Sequence, residues 1–308
     1  MKKFKDMYVI GIDHGYGNMK TANCCFPTGV LKSDKEPIFI NDLLVWNGKY
    51  YSIGVGHKEF AADKFEDEDY YVLTLAAIAR ELRRERITEA NVCIAAGLPL
   101  TWVSEQRASF KAYLLQNRDV TYTFRNVEYH IHIVGAEIFP QGFSVVASDL
   151  SGFTGTNMLC DIGNGTMNIM FVNDKKPSST NCYTEKFGTH KCMIEIREKL
   201  MRIHHAEPSE ELITHILRTG SADIDEDYLK TIVETAREYV QSIFARLRKY
   251  GYDPKLMKLY VVGGGGCLIR NFSDYDTRRV IINEDICATA KGYERMLELK
   301  LLRNGGLL

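Results

Sequence analysis

The feature that most constrains this chain occurs twice. Residues 7–24 (MYVIGIDHGYGNMKTANC) read as a short apolar strand ending in Asp13, a tight glycine-containing turn and a second strand over 15–24. Residues 157–172 (NMLCDIGNGTMNIMFV) follow the same grammar, with Asp161 in the place of Asp13. The two aspartates lie 148 positions apart, a period too long for a solenoid. It suits two similar α/β domains with a cleft between them. At 308 residues, each half is long enough to bury a core of its own.

The intervening sequence supports alternating strands and helices. Residues 46–53 (WNGKYYSI) carry the Asn-Gly signal of a tight hairpin. Residues 70–86 have the apolar spacing of an amphipathic helix. Residues 91–96 read as a buried strand closed by Gly97, Leu98 and Pro99. A helix is expected over 104–116, opened by a capping-box-like Ser-Glu-Gln-Arg, and two strands over 122–134 around Arg125 and Asn126. In the second half, helices are expected at about 191–204, 209–218, 226–250 and 285–302, and a strand at 256–262. The acidic stretch 60–69 reads as an exposed loop.

Charge and composition exclude some partners. Formal net charge is −1, so the global basic footprint of a nucleic-acid binder is missing. The run at 80–86 (RELRRER) reads as the solvated face of a helix. No apolar stretch approaches the roughly 18 residues that span a bilayer. The apolar run near the N-terminus is short and interrupted by Asp13, so it reads as a strand rather than a secretion signal. Eight scattered cysteines with no CxxC pair read as reduced thiols of a cytoplasmic protein.

The hairpins can carry chemistry. In the first, glycines let backbone N–H groups approach an anion, Lys20 can pair with a phosphate, and Asp13 can hold hydrated Mg²⁺. Alone, this reads equally well as an ordinary hairpin. Its recurrence with Asp161, Gly163, Asn164, Gly165 and Thr166 turns two ambiguous turns into a site for a magnesium nucleotide. A third glycine turn, Gly263, Gly264, Gly265 and Gly266, follows a buried strand and precedes a helix. It matches neither the Walker A nor the dinucleotide fingerprint.

Together these three segments resemble the actin, sugar-kinase and heat-shock-chaperone superfamily. Within it they look most like actin-like ATPases of the ParM/StbA type. The resemblance is carried by GIDHGYGNMK (11–20), WNGKYYSIG (46–54), AAGLPL (95–100) and ATAKGYERM (288–296). It implies an α/β chain of two actin-like, ribonuclease H-like domains. Domain I would span 1–156 plus 290–308, with a small subdomain at about 30–65, and domain II would span 157–289. The implied cofactors are ATP or ADP with Mg²⁺, with Asp13 and Asp161 as the metal-water carboxylates. Gly15, Tyr16, Gly17, Asn18 and Lys20 would clamp the β-phosphate. Gly163, Asn164, Gly165 and Thr166 would form the γ-phosphate loop, and Gly263 to Gly266 would flank the sugar and α-phosphate. Glu185, Lys186 and Gly188 would lie at the adenosine.

The resemblance places the water-orienting residue in the segment 134–143 (VGAEIFPQGF), with Glu137 expected first and Gln141 as the rival; Asp161 joins them in catalysis. Two departures stand out. Asn168 replaces an expected aspartate, and His14 and Tyr16 occupy places that are usually small or hydroxylic. The implied function is an ATP-hydrolysing protein that polymerises with itself, segregates plasmid or other mobile DNA through a DNA-binding adaptor, and touches neither nucleic acid nor membrane directly. The alternatives are a non-polymerising ATP-dependent switch and a small-molecule kinase, for which Asp149 would be the base.

Overall fold

A computed structural model of the chain describes residues 1–38, 41–55, 68–147 and 150–306. The acidic segment expected as a loop lies outside the described residues as far as residue 67, and so does Asp149. The chain folds as two compact units, Met1–Ser148 with Ile286–Leu308, and Asp149–Asp285.

The first unit opens with strands β1 (Lys2–Phe4), β2 (Met7–His14), β3 (Asn18–Lys20), β4 (Cys25–Pro27), β5 (Val30–Ser33), β6 (Leu43–Trp46) and β7 (Lys49–Ile53). It continues through α1 (Asp69–Arg84), β8 (Glu89–Leu98), α2 (Val103–Leu114), β9 (Asp119–Phe124), β10 (Val127–Pro140) and α3 (Phe143–Val146). The second unit holds β11 (Thr156–Ile162), β12 (Met167–Asn173), β13 (Lys176–Glu185), α4 (Thr189–His204), α5 (Glu210–Thr219) and α6 (Glu226–Lys249). It closes with β14 (Lys258–Val262), α7 (Gly266–Phe272) and β15 (Val280–Ile282), after which α8 (Ala288–Arg303) returns to the first unit.

The sheet of the first unit runs β4-β3-β2-β8-β10-β9-β6-β7-β5, with β1 paired to β2. Strands β2, β8 and β10 are parallel neighbours. Parallel strands are covered on both faces, so they read as nearly continuous apolar runs. One face packs Ile10, Ile12, Ile94 and Ile138 against α1 and α2. The other packs Val9, Cys93, Ala95 and Phe139 against Tyr293, Leu297 and Leu301 of α8. That second helix lies so close that a Cβ on Gly11 would sit 2.0 Å from the Ala290 carbonyl oxygen, and one on Gly97 2.1 Å from the Tyr293 hydroxyl. Glycine at both positions is therefore a packing requirement of α8.

The sheet of the second unit runs β13-β12-β11-β14-β15. The first unit contains the same five-strand path in β4-β3-β2-β8-β10, with the same antiparallel, antiparallel, parallel, parallel pairings. Asp13 and Asp161 end the equivalent middle strands β2 and β11. The internal echo of the sequence is thus a repeated topology.

Three local expectations need correction. Residues 15–24 do not form one strand. β3 and β4 are separated by a turn, in which the Thr21 N–H donates to the Cys24 carbonyl at 2.8 Å and the Thr21 hydroxyl donates to Glu81. Ser104 does not cap α2; it lies in the first turn, after a Trp102 that makes no side-chain cap. Strand β10 does not stop at 134. A bulge at Val134 lets the ladder with β8 resume at Gly135 and run to Pro140. The Asn47-Gly48 turn has φ of 49° and 71°, the left-handed pair that a tight hairpin needs.

Candidate functional site

The first hairpin is closed by a ladder in which Asp13 faces Lys20, and the two side chains form an ion pair at 3.5 Å. Its turn is fixed from one side. The Thr28 hydroxyl donates to the Gly15 carbonyl at 2.7 Å and the Thr28 N–H to the Gly17 carbonyl at 3.1 Å. A Cβ on Gly15 would meet the Asn18 carbonyl at 2.4 Å, so the turn tolerates no side chain there. His14 is not a loop residue. It is fully buried, 2.8 Å through Nε2 from the Thr74 hydroxyl, and edge-on to Phe110. Tyr16 is partly buried, and burial pushes its phenol pKa up.

The extension of β10 gives the two water-orienting candidates different surroundings. Glu137 lies inside the strand, opposite Ala95, on the face shared with Phe139 and α8. The residue is only 5% exposed, and its carboxylate holds three cations: Arg107 at 3.2 Å, Lys111 at 3.8 Å and Lys300 at 2.5 Å. Both oxygens are committed to a structural ion cluster. Gln141 follows the strand. Its N–H donates to the Leu98 carbonyl at 2.9 Å, which anchors it beside the end of β8. Its side-chain amide donates to Asp13 Oδ1 at 3.4 Å. Of the two, Gln141 is brought to Asp13.

In the second unit, Asp161 faces Asn168 across the β11–β12 ladder. Asn168 in turn accepts a hydrogen bond from the Thr184 hydroxyl at 2.8 Å, so it serves as a buried cross-strand tie. The turn closes when the Gly163 N–H donates to the Thr166 carbonyl at 2.8 Å. The start of α4 then grips it. The Thr189 and His190 N–H groups donate to the Gly163 and Asn164 carbonyls, each at 3.0 Å. A Cβ on Gly188 would stand 2.2 Å from the Asn164 carbonyl oxygen, which explains that glycine without a ligand. Glu185 is tied off by Arg246 at 3.0 Å and the Tyr250 hydroxyl at 2.5 Å. Lys186 directly follows the end of β13.

The four-glycine turn divides into two classes. Gly263 has φ +85°, and a Cβ there would lie 2.4 Å from Asp161 Oδ1. Gly265 and Gly266 are pressed against Ile162 and Ile282. Gly264 is exposed, and an added Cβ would meet nothing within 4 Å. Three of these glycines let the turn fold over the end of β11, and the fourth presents open backbone.

Residues 11–143 match the family of actin-like protein N-terminal domains. No curated protein matches the sequence. Among solved structures, Bacillus thuringiensis ParM with ATP superposes at a TM-score of 0.69, with 16% identity over 97% of this chain and 100% of that one. The archaeal actin homologue Ta0583 in complex with ADP gives 0.72, with 19% identity over 95% and 100%. The Alp12 filament structure gives 0.68, with 17% identity over 96% and 99%. The chain has the actin-like fold.

In this actin-like fold, the end of β8 at Gly97-Leu98-Pro99 and the tetraglycine turn after β14 are topological equivalents, since both follow the strand parallel to the Asp-bearing one. Sequence reasoning used only the second of them as a site element. It also missed Thr28 and Thr189, which hold the two turns; both are single hydroxyl residues with no spacing to announce them. No group of three or more His, Cys, Asp or Glu that could hold a metal occurs among the described residues. No helix among the described residues is long and apolar enough to cross a membrane.

Proposed function

We propose that this chain is an ATP-hydrolysing actin-like protein that assembles into filaments. The observation that carries the reading is the repeated five-strand path with an aspartate at the same place in each unit. It is supported by fold relatives solved with ATP, with ADP and as a filament. Each hairpin would contribute to phosphate binding. Thr28 holds the first turn through the Gly15 and Gly17 carbonyls; the turn's backbone amides would meet the phosphates, and Lys20 would add a point charge. A carboxylate at the end of each hairpin, Asp13 or Asp161, would suit Mg²⁺, which takes one or two protein carboxylates and completes its shell with waters and phosphate oxygens. Bound there, Mg²⁺ would neutralise charge on the transferring phosphate.

Gln141 is the residue we assign to orienting the attacking water, since its amide reaches Asp13. The filament would grow by head-to-tail contacts between identical copies. A role in segregating plasmid or mobile DNA through an adaptor belongs to the same reading. Comparing two variants tests the mechanism. Gln141→Ala is expected to lower single-turnover phosphate release roughly 100-fold while ATP affinity stays within about threefold. Glu137→Gln is expected to keep the release rate and lower thermal stability. The reverse pattern, with Glu137→Gln abolishing release and Gln141→Ala leaving it intact, would return the role to Glu137.

A further inference from the structure

The second unit carries a groove of about 940 Å³ that shares none of the hairpin residues. One wall is the face of α6 bearing Arg237, Gln241, Phe244 and Arg248, spaced by four, three and four residues. The other is the segment between α7 and β15, with Asp274, Tyr275, Asp276 and Arg279. The floor is apolar and buried, formed by Val240, Phe272 and Val280.

Four cations line the groove: Arg237, Arg248, Lys255 and Arg279. Among the described residues, none of the four has an ion pair or a side-chain hydrogen bond. Of the two carboxylates, Asp276 is already engaged by Arg278 at 3.0 Å. The groove therefore keeps a surplus of positive charge over an apolar floor. It also keeps an unmet donor. Tyr252 lines the groove and is 5% exposed, and its buried hydroxyl has no hydrogen-bond partner. A buried hydroxyl left unsatisfied is costly, so its place is explained if a ligand supplies the acceptor.

The shape selects the ligand. The eleven helical steps from Arg237 to Arg248 span about 16 Å at 1.5 Å each, far longer than one phosphate or carboxylate. Unpaired Asp274 on the rim opposes a backbone of evenly spaced phosphates, whereas a peptide can place its carboxylates on the cations and an apolar side chain on the floor. We propose that this groove docks a short acidic peptide of a partner protein, with its carboxylates on Arg237, Arg248 and Arg279, an apolar side chain against Phe244, and an acceptor for the Tyr252 hydroxyl. The proposal does not depend on nucleotide binding.

The test is fluorescence anisotropy of the full chain with a dye-labelled twelve-residue peptide alternating glutamate with leucine and phenylalanine. Saturable binding that weakens with salt is expected. Replacing its glutamates by glutamine, or introducing Arg248→Glu with Arg279→Glu, is expected to weaken binding tenfold or more, roughly one order of magnitude per strong charge contact. Tyr252→Phe is expected to weaken it about fivefold with no fall in melting temperature, the signature of a hydroxyl that needs the ligand. Peptide binding unchanged by these variants in folded protein would overturn the proposal. So would a single-stranded oligonucleotide of equal charge binding more tightly than the peptide. Self-association lost in the charge-reversal variants while the peptide fails to bind would instead assign the groove to a second copy, and would overturn it as well.

Discussion

Alanine at Gly264 would add one methyl group at the one position of the tetraglycine turn where the fold leaves room. The new Cβ meets nothing within 4 Å, and the backbone there is outside the left-handed region. Folding should not suffer. Restricting the unfolded chain should contribute about 0.4–1 kcal/mol of stability, with the melting temperature unchanged or up by a few degrees. Gly263→Ala is the contrast. Its φ of +85° costs about 1–2 kcal/mol for a residue with a Cβ, and overlap with Asp161 Oδ1 at 2.4 Å adds roughly 1–3 kcal/mol of overpacking. That variant should melt well below the parent. If the open backbone at Gly264 is where the turn meets ATP, the methyl intrudes on the ligand rather than the protein. A steric penalty of about 1.4–3 kcal/mol corresponds to roughly 10- to 150-fold weaker ATP binding. Calorimetric titration with Mg-ATP, beside a thermal melt, reads both effects. Unchanged ATP affinity in a stable Gly264→Ala protein would refute the reasoning and reduce the whole turn to packing.

Two further predictions concern the first unit. Gly11→Ala drives a Cβ to within 2.0 Å of the Ala290 carbonyl oxygen on α8, and should cost about 1–3 kcal/mol in a denaturation midpoint, more than the same change at solvent-exposed Gly48, apart from the left-handed strain there. Glu81 is subject to burial, which raises its pKa, but hydrogen bonds from Thr21 and Asn23 outweigh this and hold it below the ordinary 4.5. Its stabilising contribution is therefore complete above pH 4.5 and is lost as pH falls through the lower folded value. Glu81→Gln should cost roughly 2 kcal/mol at neutral pH and flatten the acid limb of the stability profile, measured by urea melts between pH 3 and 7. An acid limb identical to the parent's would remove Glu81 from the account.

Much of the fold was legible because its signals are local. The strand–Asp–glycine turn recurs in sequence and folds into the same five-strand path twice. The Asn47-Gly48 hairpin announces itself through its turn residues and the long α6 through its apolar stripe, whereas the Asp225 cap of α6 is seen in the structure. What was not legible depends on contacts far apart in sequence. The different surroundings of Glu137 and Gln141 rest on a bulge at Val134, and on Lys300 arriving from α8 more than 160 residues later. Strand-end spacing could not reveal that Glu137 would be consumed by three cations. Nor could a run of four glycines reveal that three serve packing and one is open. The buried position of His14 follows from Thr74 and Phe110, neither of which neighbours it in sequence.

The most direct test of the central claim is sedimentation with light scattering of the purified chain, across protein concentrations, with Mg-ATP, Mg-ADP and no nucleotide. The account predicts polymer above a critical concentration in ATP, with that concentration higher in ADP, and slower disassembly in Gln141→Ala. A chain that binds Mg-ATP with ordinary affinity yet forms no polymer at any concentration, with or without nucleotide, would contradict it.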